Sequence, residues 1–216
     1  FGFGASALFP DGVPGNADIY RHLYTTLIET MLAWGSGTGI CRACGLLLAL
    51  AFKKTDVRTV GSGNIGATNV ARVAGKKLGV VTLVLDALKG ALPVLAAVHI
   101  ASAAVDDVVL SARATALVGG VTGLAALLGH CFTPWLRGKG GKGVATGLGV
   151  LLALEPEIAG YGVLAFAVAF AASRLVSVSS LAAAFVVVIA LVVRGPVDAA
   201  VAPLVLCLVV IALRHI

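Results

Sequence analysis

Three polar stretches carry the residues able to do chemistry in an otherwise apolar chain. The longest, residues 129–146, reads Gly-His-Cys-Phe-Thr-Pro-Trp-Leu-Arg-Gly-Lys-Gly-Gly-Lys-Gly-Val-Ala-Thr. Arg137, Lys139 and Lys142 alternate there with Gly138, Gly140, Gly141 and Gly143. Glycines let a backbone approach a ligand closely and turn its amides toward it. Interleaved cations add fixed positive charge, and the combination suits a phosphate. The plainer alternative is a solvated basic loop held on one side of a membrane by its charge. A Walker loop is excluded, because Gly143 is followed by Val144 and not by Lys and Ser or Thr. His130 admits three roles: a base, a hydrogen-bond donor or a buried structural imidazole.

The second stretch is Gly-Ser-Gly-Asn-Ile-Gly-Ala-Thr-Asn-Val-Ala-Arg at 61–72. Gly61, Gly63 and Gly66 match a dinucleotide fingerprint, and Asp86 falls 20 residues after Gly66. That fingerprint requires a βαβ unit, whereas Asp86 lies in an apolar segment, so a nucleotide fold is rejected. What remains is a loop rich in small hydrogen-bonding groups (Ser62, Asn64, Thr68, Asn69) that ends in Arg72, whose planar fork suits a phosphate. Helix capping by turn residues is the competing explanation. The third stretch, Arg-Leu-Val-Ser-Val-Ser-Ser at 174–180, opens an apolar segment. Its serines are expected to cap orphan amides or to bond across helices. Asp86 and Lys89 stand three apart within an apolar run and so share a helical face. A structural ion pair is expected there.

Composition dictates the elements that position these stretches. Of 216 residues, 59% are hydrophobic and only 12% are charged, about half the charge of a soluble domain. With mean hydropathy +1.04, the chain reads as an all-α, polytopic membrane protein. Apolar segments run over about 25–52 (broken by Gly35–Gly39 and Arg42), 78–100, 114–133, 144–154, 158–172, 175–193 and 197–213. This gives about seven transmembrane or partly re-entrant helices. The segments at 144–154 and 158–172 fall short of the roughly 20 residues a spanning helix needs. If every segment crosses, residues 53–77, 134–143, 173–174 and 214–216 share one side. Eleven Lys and Arg lie on that side, and only Arg113 and Arg194 lie opposite. That bias places the three polar stretches on the cytoplasmic face. The net charge of +6 is therefore a topology signal, and no nucleic-acid partner is implied. Cys41 and Cys44 form one C-x-x-C with no second pair to complete a zinc site. All four cysteines are expected to be reduced and structural. Residues 1–30 are expected to be an atypical loop or non-family stretch, without the pattern of a signal peptide.

Taken together, the stretches resemble the three motifs of the bacterial acyl-phosphate:glycerol-3-phosphate acyltransferases, the PlsY family. The resemblance rests on residues 61–72, Asp-Ala-Leu-Lys-Gly at 86–90, Gly-His at 129–130 with Lys-Gly-Gly-Lys-Gly-Val-Ala-Thr at 139–146, and residues 174–180. It implies a seven-helix enzyme of the bacterial inner membrane with its active site facing the cytoplasm. The implied reaction transfers an acyl group from acyl phosphate to the 1-hydroxyl of glycerol 3-phosphate, giving lysophosphatidic acid. No cofactor and no metal are implied. The implied partners are the two substrates, membrane lipid and the soluble enzyme that makes acyl phosphate. The implied catalytic set is Lys142, Ser62, Ser180 and His130. The implied substrate-binding set is Arg72, Asn64, Thr68, Asn69, Lys139, Gly140, Gly141, Gly143, Thr146, Ser177 and His215.

Two departures accompany the resemblance. The family's usual Gly-Ser-Ile-Pro-x-Gly is replaced by Gly-Ser-Gly-Thr-Gly-Ile from Gly35, and its His-x-x-Asn-Ile tail stops at His215-Ile216. Residues 31–216 are thus expected to form a single membrane-embedded acyltransferase domain, truncated at its C-terminus. A transporter for a small phosphorylated solute is the rival reading, since it too would use cationic glycine-rich loops. Such a transporter should show repeated halves, and no repeat is visible.

Overall fold

A computed structural model describes residues 44–103, 108–133, 136–195 and 201–215. The Gly35–Gly39 break, the departure that follows it and Cys41 lie outside the described residues. Within them the chain forms eight helices: α1 Cys44–Lys53, α2 Ala67–Ala74, α3 Lys76–Ala103, α4 Val108–Cys131, α5 Val144–Leu154, α6 Pro156–Ser173, α7 Val176–Arg194 and α8 Ala202–Leu213. The all-α expectation holds.

The spine is α3, whose 28 residues extend about 42 Å at 1.5 Å per residue, more than a bilayer's hydrocarbon core. It packs against α1, α2, α4 and α5. Its contact with α5 is a backbone-to-backbone approach. A Cβ on Gly149 would collide with the Ala87 carbonyl, and one on Gly90 with the Thr146 carbonyl. Small residues at such crossings are how membrane helices pack without a hydrophobic driving force. A core of Val94, Val150, Leu151, Ile158, Ala159, Val187, Leu191, Leu204 and Leu208 then joins α3, α5, α6, α7 and α8.

Helices α6 and α7 form a hairpin. It turns at Arg174, which takes the left-handed conformation (φ 57°) and donates its N–H to the Phe170 carbonyl at 2.9 Å. The outer faces of this hairpin are apolar and open: Leu164 is 63% exposed, Phe185 67% and Val193 79%. Such a surface suits contact with lipid.

By length and composition α3, α6 and α7 suffice to cross a membrane; α1, α5 and α8 are shorter apolar helices. The segment expected at 158–172 thus gains residues at each end and becomes long enough, whereas 144–154 stays short. One helix was not expected. Residues 67–74, read as loop, form the amphipathic α2, with Val70 and Ala74 buried and Arg72 exposed. Its apolar residues keep the helical period of a one-sided helix, but eight residues are fewer than the window in which that period is read.

The chain's polar ends sort as the charge count required. Arg194 at the end of α7 pairs with Glu155 at the start of α6, which fixes one end of the bundle. Arg214, after α8, reaches the loop between α4 and α5 at the other.

Replacing Gly149 by Leu is expected to overpack the α3–α5 crossing and destabilise the fold by about 1–3 kcal/mol or more. Gly160→Ala, where an added methyl group meets nothing within 4 Å, serves as the neutral control. Thermal unfolding of both variants in one detergent checks this.

Candidate active site

The loop before α2 is built around Asn69. Its side chain is buried, and its Nδ2 donates to the carbonyls of Val57 (2.9 Å), Val60 (3.1 Å) and Asn64 (2.9 Å). Its Oδ1 accepts the Ser62 N–H at 2.9 Å. Asn69 was expected to bind substrate, but its amide is committed to backbone groups. It shapes the loop instead. Asn64 Oδ1 accepts the Gly66 N–H at 2.8 Å, a local turn. Ser62, Thr68 and Arg72 are exposed on the surface this scaffold presents. Arg72 has no ion-pair partner among the described residues. Beneath the loop, Leu46, Ala49, Val57, Ile65, Val70 and Ala74 form a small core. Nearby, the Arg58 guanidinium hydrogen-bonds the half-buried Asp56 carboxylate and holds its pKa down at about 2.

The glycine-rich loop joins this core through Leu136, which packs against it. Its own backbone is tied from two sides. The Gly140 N–H donates to the Cys131 carbonyl (3.1 Å) and the Gly141 N–H to the His130 carbonyl (3.2 Å). From the other side, Arg214 donates to the carbonyls of Gly140 (3.1 Å) and Gly141 (3.4 Å). These two amides therefore do not turn toward a ligand as expected. The donors that remain are in the first turn of α5. Gly143, at φ 81°, caps that helix, whose first internal bond runs from the Gly147 N–H to the Gly143 carbonyl at 2.7 Å. The amides of Val144, Ala145 and Thr146 thus have no acceptor within the helix, and this end carries partial positive charge. Lys142, half-buried, stands immediately before it, and Lys139 is exposed.

Behind the loop lies a buried ionic cluster. Lys89 Nζ is 2.8 Å from Asp86 Oδ1, and His130 Nδ1 is 3.8 Å from the same oxygen. All three residues are nearly inaccessible. The structural pairing expected for Asp86 and Lys89 is found, extended across to α4. A Cβ on Gly141 would run into the His130 ring. His130 therefore lies directly under the loop and is nearly inaccessible. Thr146, expected to bind substrate, is completely buried in the α3–α5 contact.

At the third stretch Ser179 and Ser180 bond back along their own helix, neither capping amides nor crossing helices. Ser179 Oγ donates to the Leu175 carbonyl and Ser180 Oγ to the Val176 carbonyl, both at 2.8 Å. Such back-bonding satisfies a hydroxyl in apolar surroundings. Ser180 is buried, and Ser177 is exposed. His215, just beyond α8, hydrogen-bonds the Ile211 carbonyl through Nδ1 at 2.8 Å. Burial, with the nearby Lys142 charge, holds its pKa below the ordinary histidine value, against the pull of that hydrogen bond. The neutral ring then carries its proton on Nδ1 and a lone pair on Nε2.

Arg214 was missed as a site residue, having entered only the charge count. That count did place it level with the loop, but no local pattern announces a guanidinium that binds two carbonyls 73 and 74 residues away. Among the described residues, no three His, Cys, Asp or Glu side chains gather as a metal site would require.

Fold and site together define a polytopic α-helical membrane protein whose cationic glycine-rich loop, first polar loop and C-terminal Arg-His meet at one end of the bundle. The Glycerol-3-phosphate acyltransferase family model matches residues 39–216, and the chain belongs to that family. A relative in Myxococcus xanthus (strain DK1622), a glycerol-3-phosphate acyltransferase, is 54% identical over 139 residues, covering 64% of this chain and 67% of that protein. Another, in Anaeromyxobacter dehalogenans (strain 2CP-C), is 49% identical over 137 residues, covering 63% and 64%. The matched stretch thus spans about two thirds of the length of these relatives. Two crystal structures of PlsY (YgiH), an integral membrane glycerol 3-phosphate acyltransferase, are similar in fold. The glycerol 3-phosphate form has TM-score 0.71 at 35% identity, and the lysophosphatidic acid form 0.72 at 36%. Each comparison covers 90% of this chain and 88% of the other.

Asn69→Ala is expected to strand buried carbonyls and loosen the first loop, at about 1–3 kcal/mol for the group left unsatisfied. A lower unfolding temperature, with faster amide exchange at Ser62, checks this. Unchanged exchange would mean the loop holds its shape without Asn69.

Proposed function

We propose that the protein transfers an acyl group from acyl phosphate to the 1-hydroxyl of glycerol 3-phosphate, releasing lysophosphatidic acid and inorganic phosphate. The observation that carries this reading is the gathering of Lys142, the open first turn of α5 and the Arg214-His215 terminus at one end of the bundle, in a chain of this family. Two anionic substrates need such a concentration of cations and donors.

In this mechanism Arg72, Ser62, Asn64 and Thr68 hold glycerol 3-phosphate. Lys142, with Lys139 and the α5 amides after Gly143, holds the acyl phosphate. The 1-hydroxyl oxygen bonds to the acyl carbon, the bond from that carbon to the phosphate oxygen breaks, and the hydroxyl proton passes to the departing phosphate. Lys142 and the α5 dipole stabilise the negative charge that grows on the acyl oxygen and the leaving group. Ser177 and His215 complete the pocket, and His215 Nε2 accepts a hydrogen bond from the substrate. His130, Asn69, Thr146, Gly140 and Gly141 act by shaping it, as does Ser180 by fixing the first turn of α7. No protein nucleophile is used, so the rate comes from orientation and charge. The excess of Lys and Arg at this end argues for a cytoplasmic site in the bacterial inner membrane.

The experiment is product formation by purified protein given glycerol 3-phosphate and either acyl phosphate or an acyl thioester. Lysophosphatidic acid from acyl phosphate alone is expected; product from the thioester alone would overturn the donor assignment. Lys142→Ala should cost about 3–4 kcal/mol in the transition state, on the order of a hundredfold or more in rate. Near-normal turnover in the folded variant would remove Lys142 from the site. Arg72→Lys keeps the charge but loses the planar fork. It should raise KM for glycerol 3-phosphate while leaving that for acyl phosphate nearly unchanged. Equal rises for both would assign Arg72 to loop support.

A further inference from the structure

Arg214 makes two hydrogen bonds to the glycine-rich loop, and both go to main-chain carbonyls, those of Gly140 and Gly141. The same two residues donate their N–H groups to Cys131 and His130. Peptide groups on both sides of Gly141 are therefore held between the end of α4 and the end of α8. The guanidinium is also centred 5.4 Å from the Phe132 ring, on the residue that leaves α4. Lys142 follows directly. A flexible run of glycines would otherwise let Lys142 and the start of α5 wander, since glycine gains more backbone freedom than any other residue.

We infer that Arg214 is a positioning residue: it latches the C-terminal helix onto the Gly140–Gly141 carbonyls and thereby fixes Lys142 at the start of α5. It acts through the loop and not on a substrate. The inference rests on the proposed reaction for its kinetic consequence and on the loop geometry alone for its structural one.

The two consequences are measured separately. Amide exchange of the protein in lipid reports the latch whatever the protein catalyses. Exchange at Gly140 and Gly141 should rise on the order of tenfold in Arg214→Ala, with exchange in α6 and α7 unchanged. Turnover of acyl phosphate and glycerol 3-phosphate should fall on the order of tenfold or more, mainly in kcat, because the oriented loop is lost. Arg214→Gln, neutral but still able to donate to a carbonyl, should recover part of both. The double variant with Lys142→Ala should be no slower than Lys142→Ala alone, since the latch works through that lysine.

Unchanged exchange at Gly140 and Gly141 in Arg214→Ala would overturn the latch. Equal losses in Ala and Gln variants, expressed as a raised KM for one substrate and additive with Lys142→Ala, would also overturn it and assign Arg214 to direct charge contact. If Arg214→Ala fails to accumulate, Arg214→Leu, which keeps bulk but has no donor for the two carbonyls, carries the same comparisons, and wild-type exchange at both amides in it would overturn the latch. If exchange rises but the wild type makes no lysophosphatidic acid, the latch stands and the proposed reaction falls.

Discussion

One turn of α3, from Asp86 to Gly90, sets the position of everything at the polar end of the molecule. Asp86 holds Lys89 at 2.8 Å and faces His130 at 3.8 Å. Charges this deep are costly unless partnered, and removing one leaves the other uncompensated. The Asp86–Lys89 pair lies within α3, and the approach of His130 to 3.8 Å shows which face of α3 meets the end of α4. On the same turn, Ala87 and Gly90 accept the backbone of α5 at van der Waals contact through Gly149 and Thr146. The start of α5 thus has one available height relative to His130. Since His130 lies beneath Gly141, the glycine-rich loop inherits that height.

The loop is a bridge with its peptide groups already engaged. A ligand-binding loop built of glycines suggests amides turned outward, yet Gly140 and Gly141 spend theirs on the end of α4. The anion-attracting groups are displaced by a few residues, to Lys142 and the open first turn of α5. This division separates two jobs. Glycines at 140 and 141 are required for close packing against His130 and Cys131, while charge is delivered by the residue that follows. The first loop is organised alike, with Asn69 consumed in shaping and Ser62 and Arg72 left on the surface.

Much of the architecture was legible because membrane helices announce themselves by long apolar runs, and because the Lys and Arg asymmetry sorts their ends. Helix α2 was not legible: it is amphipathic, but its eight residues fall short of the window over which a helical period separates from a turn. The residue types suggest a candidate site but not how its groups are placed and partnered. Asn69, Thr146, His130 and Ser180 have the chemistry of ligand-binding groups, and only burial and partners reveal that they face inward. Arg214 shows the converse. Its role comes from a contact between chain segments more than seventy residues apart, which no local pattern encodes.

The central claim is that two loops distant in sequence form one site for phosphorylated substrates. It is tested most directly by mapping amide exchange across the membrane-embedded protein with and without glycerol 3-phosphate. Simultaneous protection of residues 61–72 and 142–146, with none on the opposite end around Glu155 and Arg194, is the predicted result. Protection confined to one loop, or appearing around Glu155 and Arg194 instead, would contradict the account.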